Sequence, residues 1–445
     1  MIKRFIRRVL GLDAPGPQRV PASRHHMARA SVSSGALKTC DVLHQHKFAA
    51  YVVGGAVRDV LLGIPPKDFD VATDARPEQI KPLFRRALVI GRRFRLVHVM
   101  MGPETVEVST FRAADNASAE KDEHGRVLRD NVFGTIEEDA RRRDFTVNAL
   151  YFDCQTGDIV DYHGGLADLK KRVLRMIGDP ETRFREDPVR MLRAVRLAAK
   201  LGLTIDGATR APIKRLAPLL EHVPPPHLFE EMLKLLLSGH ASACLRQLRA
   251  EGLHKGLLPL LDVILDQPLG ERFVTLALAQ TDERVLSDRP VSPAFLFAAL
   301  LWHEVLSAWK AREKRGERRV PALDAAMDEV LDAQSGKLAI TRRLTATMRE
   351  VWSMQPRFED RAGQRPYRLL ESPRFRMAYD FLALRAASGE VPAELESWWR
   401  AFQAADPDTR HAMLLPESGP KKKRRRRRRG RKAGAGGPDG GPPAE

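Results

Sequence analysis

Several features that mark other classes of protein are scarce or missing in this chain of 445 residues. Its three cysteines, Cys40, Cys154 and Cys244, are widely spaced and odd in number, which argues against a disulfide framework or a zinc site and fits a reducing compartment. No run of 18 or more apolar residues occurs, so no transmembrane helix is expected. The G-x-x-x-x-G-K-[ST] pattern of a P-loop is also absent. The composition therefore disfavours a disulfide-rich secreted protein, a membrane-spanning protein and a P-loop enzyme.

Positive charge, by contrast, is in excess. The net charge is +18, and eleven of the basic residues lie in 421–432, so +7 remains for the rest of the chain. This balance indicates a polyanionic partner, with nucleic acid ahead of an anionic membrane. Residues 416–445 are rich in Arg, Gly and Pro, and we expect them to be disordered and to serve as a nonspecific electrostatic arm for RNA.

The N-terminal residues 1–35 are predicted to be a basic, flexible leader. Residues 1–26 mix apolar side chains with Lys and Arg but lack the long apolar core and cleavage site of a secretory signal. Their pattern leaves two alternatives open, a peripheral contact with a membrane surface and an organellar transit peptide.

The segment YVVGGAVRD (51–59) is the first that indicates a chemistry. An apolar strand leads into Gly54 and Gly55 and then into a helix start. This local structure lets backbone N–H groups approach a phosphate. A glycine pair alone is more often only a turn, so its meaning depends on the residues after it.

Acidic residues come next, in KDFDV (67–71), where Asp68 and Asp70 alternate with apolar residues. If this stretch is a strand, its period of two places both carboxylates on one face. Two hard oxygen ligands beside a phosphate-binding turn are what a phosphoryl-transfer site with two Mg²⁺ ions requires. Taken in order, the two patterns predict a nucleotidyltransferase.

Two acids compete for the third position in such a site. Glu107 lies in the alternating segment TVEVST (105–110), where it shares a strand face with Ser109. Asp144 lies in RRDFTVNA (142–149), directly after Arg142 and Arg143, where it could instead cap a helix or pair with a neighbouring arginine. The residues alone do not decide between Glu107 and Asp144.

The block REDPVRMLR (185–193) predicts a helix that begins at Asp187-Pro188. At a step of about 100° per residue, four cations fall within an arc of about 120°. They are Arg190, Arg193, Arg196 and Lys200. A solvated basic face is one interpretation. The other is that Asp187 and Arg190 hydrogen-bond to a nucleotide base while the remaining cations meet phosphates.

The remaining pattern predicts a head of mixed strands and helices followed by a long helical part. Strands are predicted at 49–53, 69–73, 87–90, 96–101, 105–110, 149–153 and 159–162, with a polar, mobile insertion at 114–130. From about residue 164 to 414 the periodicity is helical.

Together these blocks resemble the bacterial poly(A) polymerases of the class II tRNA nucleotidyltransferase family, within the DNA polymerase β superfamily. The matching motifs are GGAVRD (54–59), LLG-x-x-PKDFDVAT (61–73), RRDFTVNALY (142–151) and REDPVRMLRAVRLAAKLG (185–202). Weaker similarity runs through 290–300, 367–387 and the Arg-rich tail, so the resemblance covers residue 43 onward.

The resemblance implies an α+β fold, with a polymerase-β-like nucleotidyltransferase head built on a mixed sheet and an all-α neck, body and tail. The implied bounds are 36–175 for the catalytic head, 176–222 for the nucleotide-selecting neck and 223–415 for the RNA-binding body and tail. It also implies residue roles. Asp68 and Asp70 would hold Mg²⁺, and Asp144 would be the third catalytic acid, ahead of Glu107. The implied nucleotide-binding residues are Gly54, Gly55, Arg58, Arg143, Glu186, Asp187 and Arg190.

The implied activity is template-independent addition of adenylates from ATP to RNA 3′ ends by a two-metal mechanism. Messenger and small RNAs would be the substrates, RNA-decay proteins would be candidate partners, and the cytoplasm would be the location.

Two alternatives remain. CCA-adding enzymes share these motifs, although GRRFRL (91–96), RDNVFGTIEEDA (129–140), the polybasic tail and the lack of any His-Asp pair favour poly(A) addition. A catalytically silent RNA-binding scaffold is disfavoured by the intact set of acids. Trp398 and Trp399 are expected to pack between helices rather than stack on bases.

Overall fold

Twelve strands occur in the part of the chain that the structure describes. This computed structural model describes residues 16–91, 95–113, 120–121, 127–129, 132–254, 268–335 and 338–416. The strands are β1 Gln18–Val20, β2 Ala50–Val53, β3 Asp70–Thr73, β4 Ala87–Ile90, β5 Leu96–Met101, β6 Glu104–Thr110, β7 Glu120–Lys121, β8 Val127–Arg129, β9 Leu150–Asp153, β10 Ile159–Asp161, β11 Val173–Leu174 and β12 Thr204–Ile205.

Eight of these strands form one mixed sheet in the order β1-β10-β9-β2-β3-β6-β5-β4. Strands β3 and β6 are parallel, and every other pair in this sheet is antiparallel. The central strands carry Val52, Val71 and Val108, which are fully buried. Burial of such β-branched residues favours the strand conformation here. The parallel register sets Asp70 directly beside Glu107.

Helices flank the sheet and make up most of the chain after it. Those of the head and neck are α1 Ser34–Gln45, α2 Gly55–Leu61, α3 Pro77–Ile80, α4 Ile136–Arg142, α5 Gly165–Lys170, α6 Pro180–Glu186, α7 Val189–Leu201, α8 Gly207–Arg210 and α9 Ile213–Leu216. Those that follow are α10 Pro225–Leu236, α11 Ala241–Ala250, α12 Pro268–Leu286, α13 Pro293–Lys314, α14 Arg319–Ser335, α15 Arg342–Met354, α16 Arg365–Leu370, α17 Phe375–Ser388, α18 Ala393–Ala404 and α19 Pro407–Met413.

One apolar core connects the head, the neck helix α7 and the helices after it. It contains Val52 of the sheet, Val195 of α7 and Trp302 of α13. A second cluster joins α15 to α19 and includes the fully buried Trp399, with Trp398 packed against it. The indole ring of Trp398 stacks on Phe402 at 4.6 Å between centroids. The two tryptophans therefore pack between helices, as the sequence indicated.

The predicted fold class is confirmed, and so are all seven predicted strands, with ends that differ by one residue at most. Strand β1 differs from the expectation, because Gln18–Val20 was placed in the flexible leader. It pairs with Ile159–Asp161 at the edge of the sheet. A three-residue strand between Pro17 and Pro21 is too short for alternation to be read, and prolines are usual only at sheet edges.

Parts of several predicted features lie outside the described residues. These parts are residues 1–15 of the leader, residues 92–94 of GRRFRL, most of the insertion 114–130, residues 130–131 of RDNVFGTIEEDA, residues 255–267 and 336–337 of the helical part, and the tail from residue 417. Within the insertion, β7 and β8 form a short antiparallel ladder. The division into leader, head, neck, body and tail stays a prediction, and the words head and neck denote the predicted ranges 36–175 and 176–222. In the part of the chain that the structure describes, no helix is long and apolar enough to cross a membrane.

Candidate active site

The glycine turn joins β2 to α2 at the centre of the sheet. Gly54 has φ of 77° and ψ of −131°, a conformation that side-chain-bearing residues rarely adopt. A Cβ atom on Gly54 would lie 3.5 Å from Nη1 of Arg143. The turn therefore brings bare backbone next to a guanidinium group, an arrangement suited to a phosphate.

Arg58 lies behind this turn rather than in open solvent. Its Nη1 donates to Oδ1 of Asn148 at 2.5 Å, and its Nε and Nη2 donate to Oδ1 of Asp59 at 2.8 and 2.6 Å. The guanidinium is buried and lies 3.5 Å from the place a Cβ on Gly55 would take. Arg58 is thus held against the first turn of α2, with its charge balanced by Asp59.

Two acids of the predicted pair lie at the start of β3. Asp68 lies just before the strand and Asp70 begins it, and both are exposed, while Phe69 between them is 8% exposed and points into the core. Glu107 is the register partner of Asp70 on β6. The structure thus places Glu107 beside Asp70, with Asp68 two residues earlier in the chain.

The electrostatics of Asp70 show that this acidic cluster is undercompensated. The protein packed around its carboxyl group, together with the charges of Glu107 and Asp68, raises the pKa of Asp70 to about 6, and only Arg143 acts in the opposite direction. Beside its neighbour Glu107, Nε2 of His98 lies 3.7 Å from Oε2 of the carboxylate. A divalent cation would relieve this repulsion.

The donor chemistry of this cluster fits Mg²⁺. Among the described residues, no three His, Cys, Asp or Glu side chains are close enough to form a complete metal cage. Mg²⁺ does not need one, because it usually takes one or two carboxylates and fills its shell with water and substrate phosphates. Asp68 and Asp70 supply such carboxylates, with Glu107 beside them.

Asp144 is engaged elsewhere. Its Oδ2 accepts from Nε and Nη2 of Arg193 at 2.9 and 2.6 Å. Its Oδ1 accepts from the backbone N–H of Phe145 at 2.8 Å and from Nδ2 of Asn148 at 3.0 Å. Burial opposes its ionisation, but Arg193 and these hydrogen bonds outweigh that effect and lower the pKa of Asp144. Both oxygens of this carboxylate therefore bind protein, and the pair with Arg193 ties the head to neck helix α7.

Arg143 is aimed at the site by two buried partners. Its Nε donates to the hydroxyl of Tyr151 at 2.9 Å, and its Nη2 donates to Oδ2 of Asp139 at 2.9 Å. The Tyr151 hydroxyl in turn donates to Asp139 at 2.7 Å. Burial opposes the charge of Arg143, but Tyr151 and Asp139 raise its pKa, so it stays cationic. This leaves Nη1 turned towards Gly54.

The predicted base-reading element lies where α6 meets α7. Oε2 of Glu186 accepts from Nη1 of Arg183 at 2.7 Å and from Nη1 of Arg190 at 3.1 Å. Nη2 of Arg183 also donates to the carbonyl oxygens of Arg142 and Arg143, at 2.5 and 2.9 Å. Glu186 thus forms ion pairs with both Arg183 and Arg190.

Asp187 ends helix α6, and its Oδ1 accepts from the backbone N–H of Val189 at 3.2 Å. Helix α7 begins at Val189, one residue later than expected, and Pro188 precedes it. The apolar residues of α7 are buried and its basic face is half-buried, as the periodicity predicted.

Sequence reasoning missed Asp139, Asn148, Tyr151, Arg183 and the pairing of Arg193. Asn148 and Tyr151 stand inside the RRDFTVNALY motif, and Asp139 lies four residues before Arg143, which is helical contact spacing. The motif and the spacing could have indicated these three residues from the sequence. Nothing in the local pattern pairs Arg193 with a residue 49 positions away.

Comparison with known proteins finds three matching family models. The family model described as "Poly A polymerase head domain" matches residues 50–175. "Probable RNA and SrmB-binding site of polymerase A" matches 202–265, and "Polymerase A arginine-rich C-terminus" matches 315–433.

Similar proteins are found at the level of sequence and of structure. Poly(A) polymerase I of Escherichia coli O6:H1 is 47% identical over 409 residues, which span 89% of this chain and 88% of that protein. Poly(A) polymerase I of Haemophilus influenzae is 43% identical, over 89% of this chain and 90% of that protein. The CCA-adding enzyme of Geobacillus stearothermophilus is 38% identical, but over 49% of this chain and 53% of that enzyme. The solved Bacillus stearothermophilus CCA-adding enzyme in complex with CTP has a TM-score of 0.55 at 28% identity, over 82% of this chain and 80% of that one.

The mixed sheet with its glycine turn and paired acids, followed by helices, defines a nucleotidyltransferase. Similarity to the poly(A) polymerases extends along nine-tenths of the chain, whereas similarity to the CCA-adding enzyme in sequence is confined to half. The chain therefore belongs to the bacterial poly(A) polymerase family.

Proposed function

We propose that this enzyme adds adenylates from ATP to RNA 3′ ends without a template. The observation that carries the proposal is the acidic pair Asp68 and Asp70 beside the glycine turn, in a chain 47% identical to a poly(A) polymerase I over 89% of its length. In the reaction, the RNA 3′-hydroxyl oxygen attacks the α-phosphorus of ATP, and pyrophosphate leaves.

Asp68 and Asp70 are proposed to hold Mg²⁺, with Glu107 as the third acid. Glu107 is favoured over Asp144 because it lies beside Asp70 in register, whereas both oxygens of Asp144 already bind protein groups. When bound, two Mg²⁺ ions would neutralise the triphosphate and the leaving oxygen and lower the pKa of the 3′-hydroxyl.

The remaining side chains bind and orient the substrates. Nη1 of Arg143 faces the glycine turn and is proposed to contact the triphosphate, while Arg58 fixes the turn from behind. Asp187 and Arg190 are proposed to hydrogen-bond to the adenine edge, with Glu186 holding Arg190 in position. Asp144 acts by keeping the neck, and hence the base-reading residues, aligned with the head.

RNA 3′ ends are the proposed second substrate, including those of mRNA and small RNAs, with a role in bacterial polyadenylation and RNA decay. The basic charge of the chain supports RNA binding, and the Arg-rich tail is proposed to be a nonspecific RNA arm. RNA-decay proteins are proposed as partners, since one matched region is described as a probable RNA and SrmB-binding site. The free cysteines among the described residues support a cytoplasmic location.

A nucleotide-incorporation assay tests the proposal. Purified protein with Mg²⁺ is given ATP, CTP, UTP or GTP singly, with either an unstructured RNA oligonucleotide or a tRNA that lacks its CCA end. We expect long extension of the oligonucleotide with ATP alone. Addition of two C residues and one A to the tRNA only would instead identify a CCA-adding enzyme. RNA binding without any incorporation would indicate a silent scaffold.

Asp68→Ala serves as the matched inactive variant. It is expected to reduce incorporation nearly to background while the melting temperature stays at the wild-type value, because the side chain is exposed and makes no core contact. Substantial activity in this variant would contradict the assignment of Asp68.

A further inference from the structure

Lys200 differs from the other cations on the same face of helix α7. Arg190, Arg193 and Arg196 are ion-paired with Glu186, Asp144 and Glu231. Lys200 is half-buried near the end of the helix, yet its ammonium group has no hydrogen bond or ion pair among the described residues. A half-buried cation without a partner is costly in a folded protein.

The charges around Lys200 do not balance it. Among the described residues, the largest electrostatic influences on it come from one anion, Asp59, and three cations, Arg58, Arg196 and Lys67. Asp59 is already bound to Arg58 at 2.6 Å. Burial is the main reason that the pKa of Lys200 is lowered, and the three cations add to that effect.

Two of these three cations are already ion-paired, and the third is not. Arg58 is held by Asp59, and Nε of Arg196 donates to Oε1 of Glu231 at 2.8 Å. Lys67, like Lys200, has no hydrogen bond or ion pair within the described parts of the chain, and it is exposed. Lys67 and Lys200, which act on each other electrostatically, are therefore both uncompensated among the described residues.

The position of this pair relative to the site indicates its ligand. Arg190 and Lys200 are ten residues apart on helix α7, so they are separated by about 15 Å along its axis at about 1.5 Å per residue. That distance is comparable to the length of an extended nucleoside triphosphate. With the base at Arg190, the outermost phosphates would reach the Lys200 end. There Arg58 supports the glycine turn, and Lys67 directly precedes Asp68.

We propose that Lys200 and Lys67 bind the terminal phosphates of the incoming nucleotide, so that the neck contacts both ends of ATP. This inference rests on the proposed function of the site. It goes further because it assigns two roles to one face of helix α7. Arg190 reads the base, and Lys200 binds the phosphates that leave as pyrophosphate. An RNA phosphate is the other anion that could lie here, and the experiment separates the two sources.

The test compares Lys200→Met and Lys67→Met with Lys170→Met, which replaces an exposed lysine at the end of α5. Methionine keeps the apolar stem of the side chain and removes its charge. Binding of ATP, ADP and AMP is measured by calorimetry with Mg²⁺ and without RNA, and the KM for RNA is measured separately. For Lys200→Met we expect the Kd for ATP to rise on the order of tenfold, the loss typical of one hydrogen bond to a charged group. The Kd for AMP, the KM for RNA and the control variant should stay at wild-type values.

Melting temperature supplies an independent readout. Removal of an unpartnered, half-buried charge should leave the nucleotide-free Lys200→Met protein at least as stable as the wild type, while its stabilisation by ATP shrinks. An unchanged Kd for ATP would overturn the inference, and so would a raised KM for RNA with unchanged ATP binding, which would place RNA at this lysine. Either of these two results would leave the proposed function intact, provided that the wild-type protein extends RNA with ATP. A wild-type protein that incorporates no AMP would instead refute the proposed function.

Discussion

Replacing Asp144 by alanine should loosen the neck from the head, whereas replacing Glu107 should impair the chemistry alone. Asp144 accepts four hydrogen bonds, two of them from the guanidinium of Arg193 on helix α7. Glu107 is half exposed, and among the described residues its nearest possible ion-pair partner is Nε2 of His98, 3.7 Å from Oε2 of Glu107. We therefore expect different phenotypes from the two variants. Asp144→Ala should lose stability, whereas Glu107→Ala should lose activity alone.

The magnitude follows from the burial of the pair. The side chain of Asp144 is 10% exposed and that of Arg193 is 33% exposed. Removing one partner of a buried ion pair costs about 3–5 kcal/mol. Because Arg193 retains access to water, we expect the lower end of this range, so that Asp144→Ala lowers the free energy of unfolding by about 3 kcal/mol. Activity should fall with it, since the residues proposed to read the base lie beside the same helix.

Urea unfolding and incorporation kinetics are measured for Asp144→Ala, Arg193→Ala, the double variant and Glu107→Ala. If Asp144 is an anchor, Arg193→Ala resembles Asp144→Ala, and the double variant is little worse than either, with a coupling of about 1–3 kcal/mol. Glu107→Ala should lose most activity and Mg²⁺ affinity at unchanged stability.

The pH dependence gives a further check on the same pair. The folded pKa of Asp144 is lowered below its ordinary value of about 3.9, so the contribution of the pair is complete above about pH 4 and is lost as the pH falls further. Asp144→Ala should therefore remove part of the acid sensitivity of unfolding. The reasoning is refuted if Asp144→Ala is as stable as the wild type but has lost Mg²⁺ binding.

Three further predictions concern the same site. The pKa of Asp70 is raised to about 6, so Mg²⁺ affinity measured by calorimetry should weaken as the pH falls through about 6. Glu107→Gln should move that midpoint downward, and an unmoved midpoint would contradict their coupling. Tyr151→Phe removes a hydrogen bond that aims Arg143, and it should raise the KM for ATP several-fold with little change in the KM for RNA. Arg190→Ala should reduce the preference for ATP over CTP in competition assays by about tenfold, and unchanged preference would refute base reading by Arg190.

Much of the fold was readable in the sequence because its signals are local. The alternating apolar residues predicted all seven strands that were proposed, and the face of helix α7 followed from its period. The exception is Gln18–Val20, which is a strand only because Ile159–Asp161 supplies its partner. A three-residue edge strand has too little pattern of its own to be recognised.

The candidate site was readable in part for the same reason. The glycine pair and the alternation of Asp68 and Asp70 are short-range patterns that can be read directly from the motifs, whereas the positive φ of Gly54 is a finding of the structure. The ion-pair partner of each charged residue could not be predicted from the sequence. The Arg-Arg-Asp order suggested a local arginine for Asp144, yet its partner is Arg193 on the neck.

By itself, the sequence therefore predicted the class of enzyme, the order of its elements and the acidic pair Asp68 and Asp70, because each of these depends on neighbours within a few residues. Only the tertiary structure shows that Glu107 lies beside Asp70, because that depends on the parallel pairing of β3 with β6. It also decided that Asp144 joins the head to the neck and that Lys200 is left without a partner among the described residues. Contacts between distant segments are set by packing and register, which no local pattern encodes.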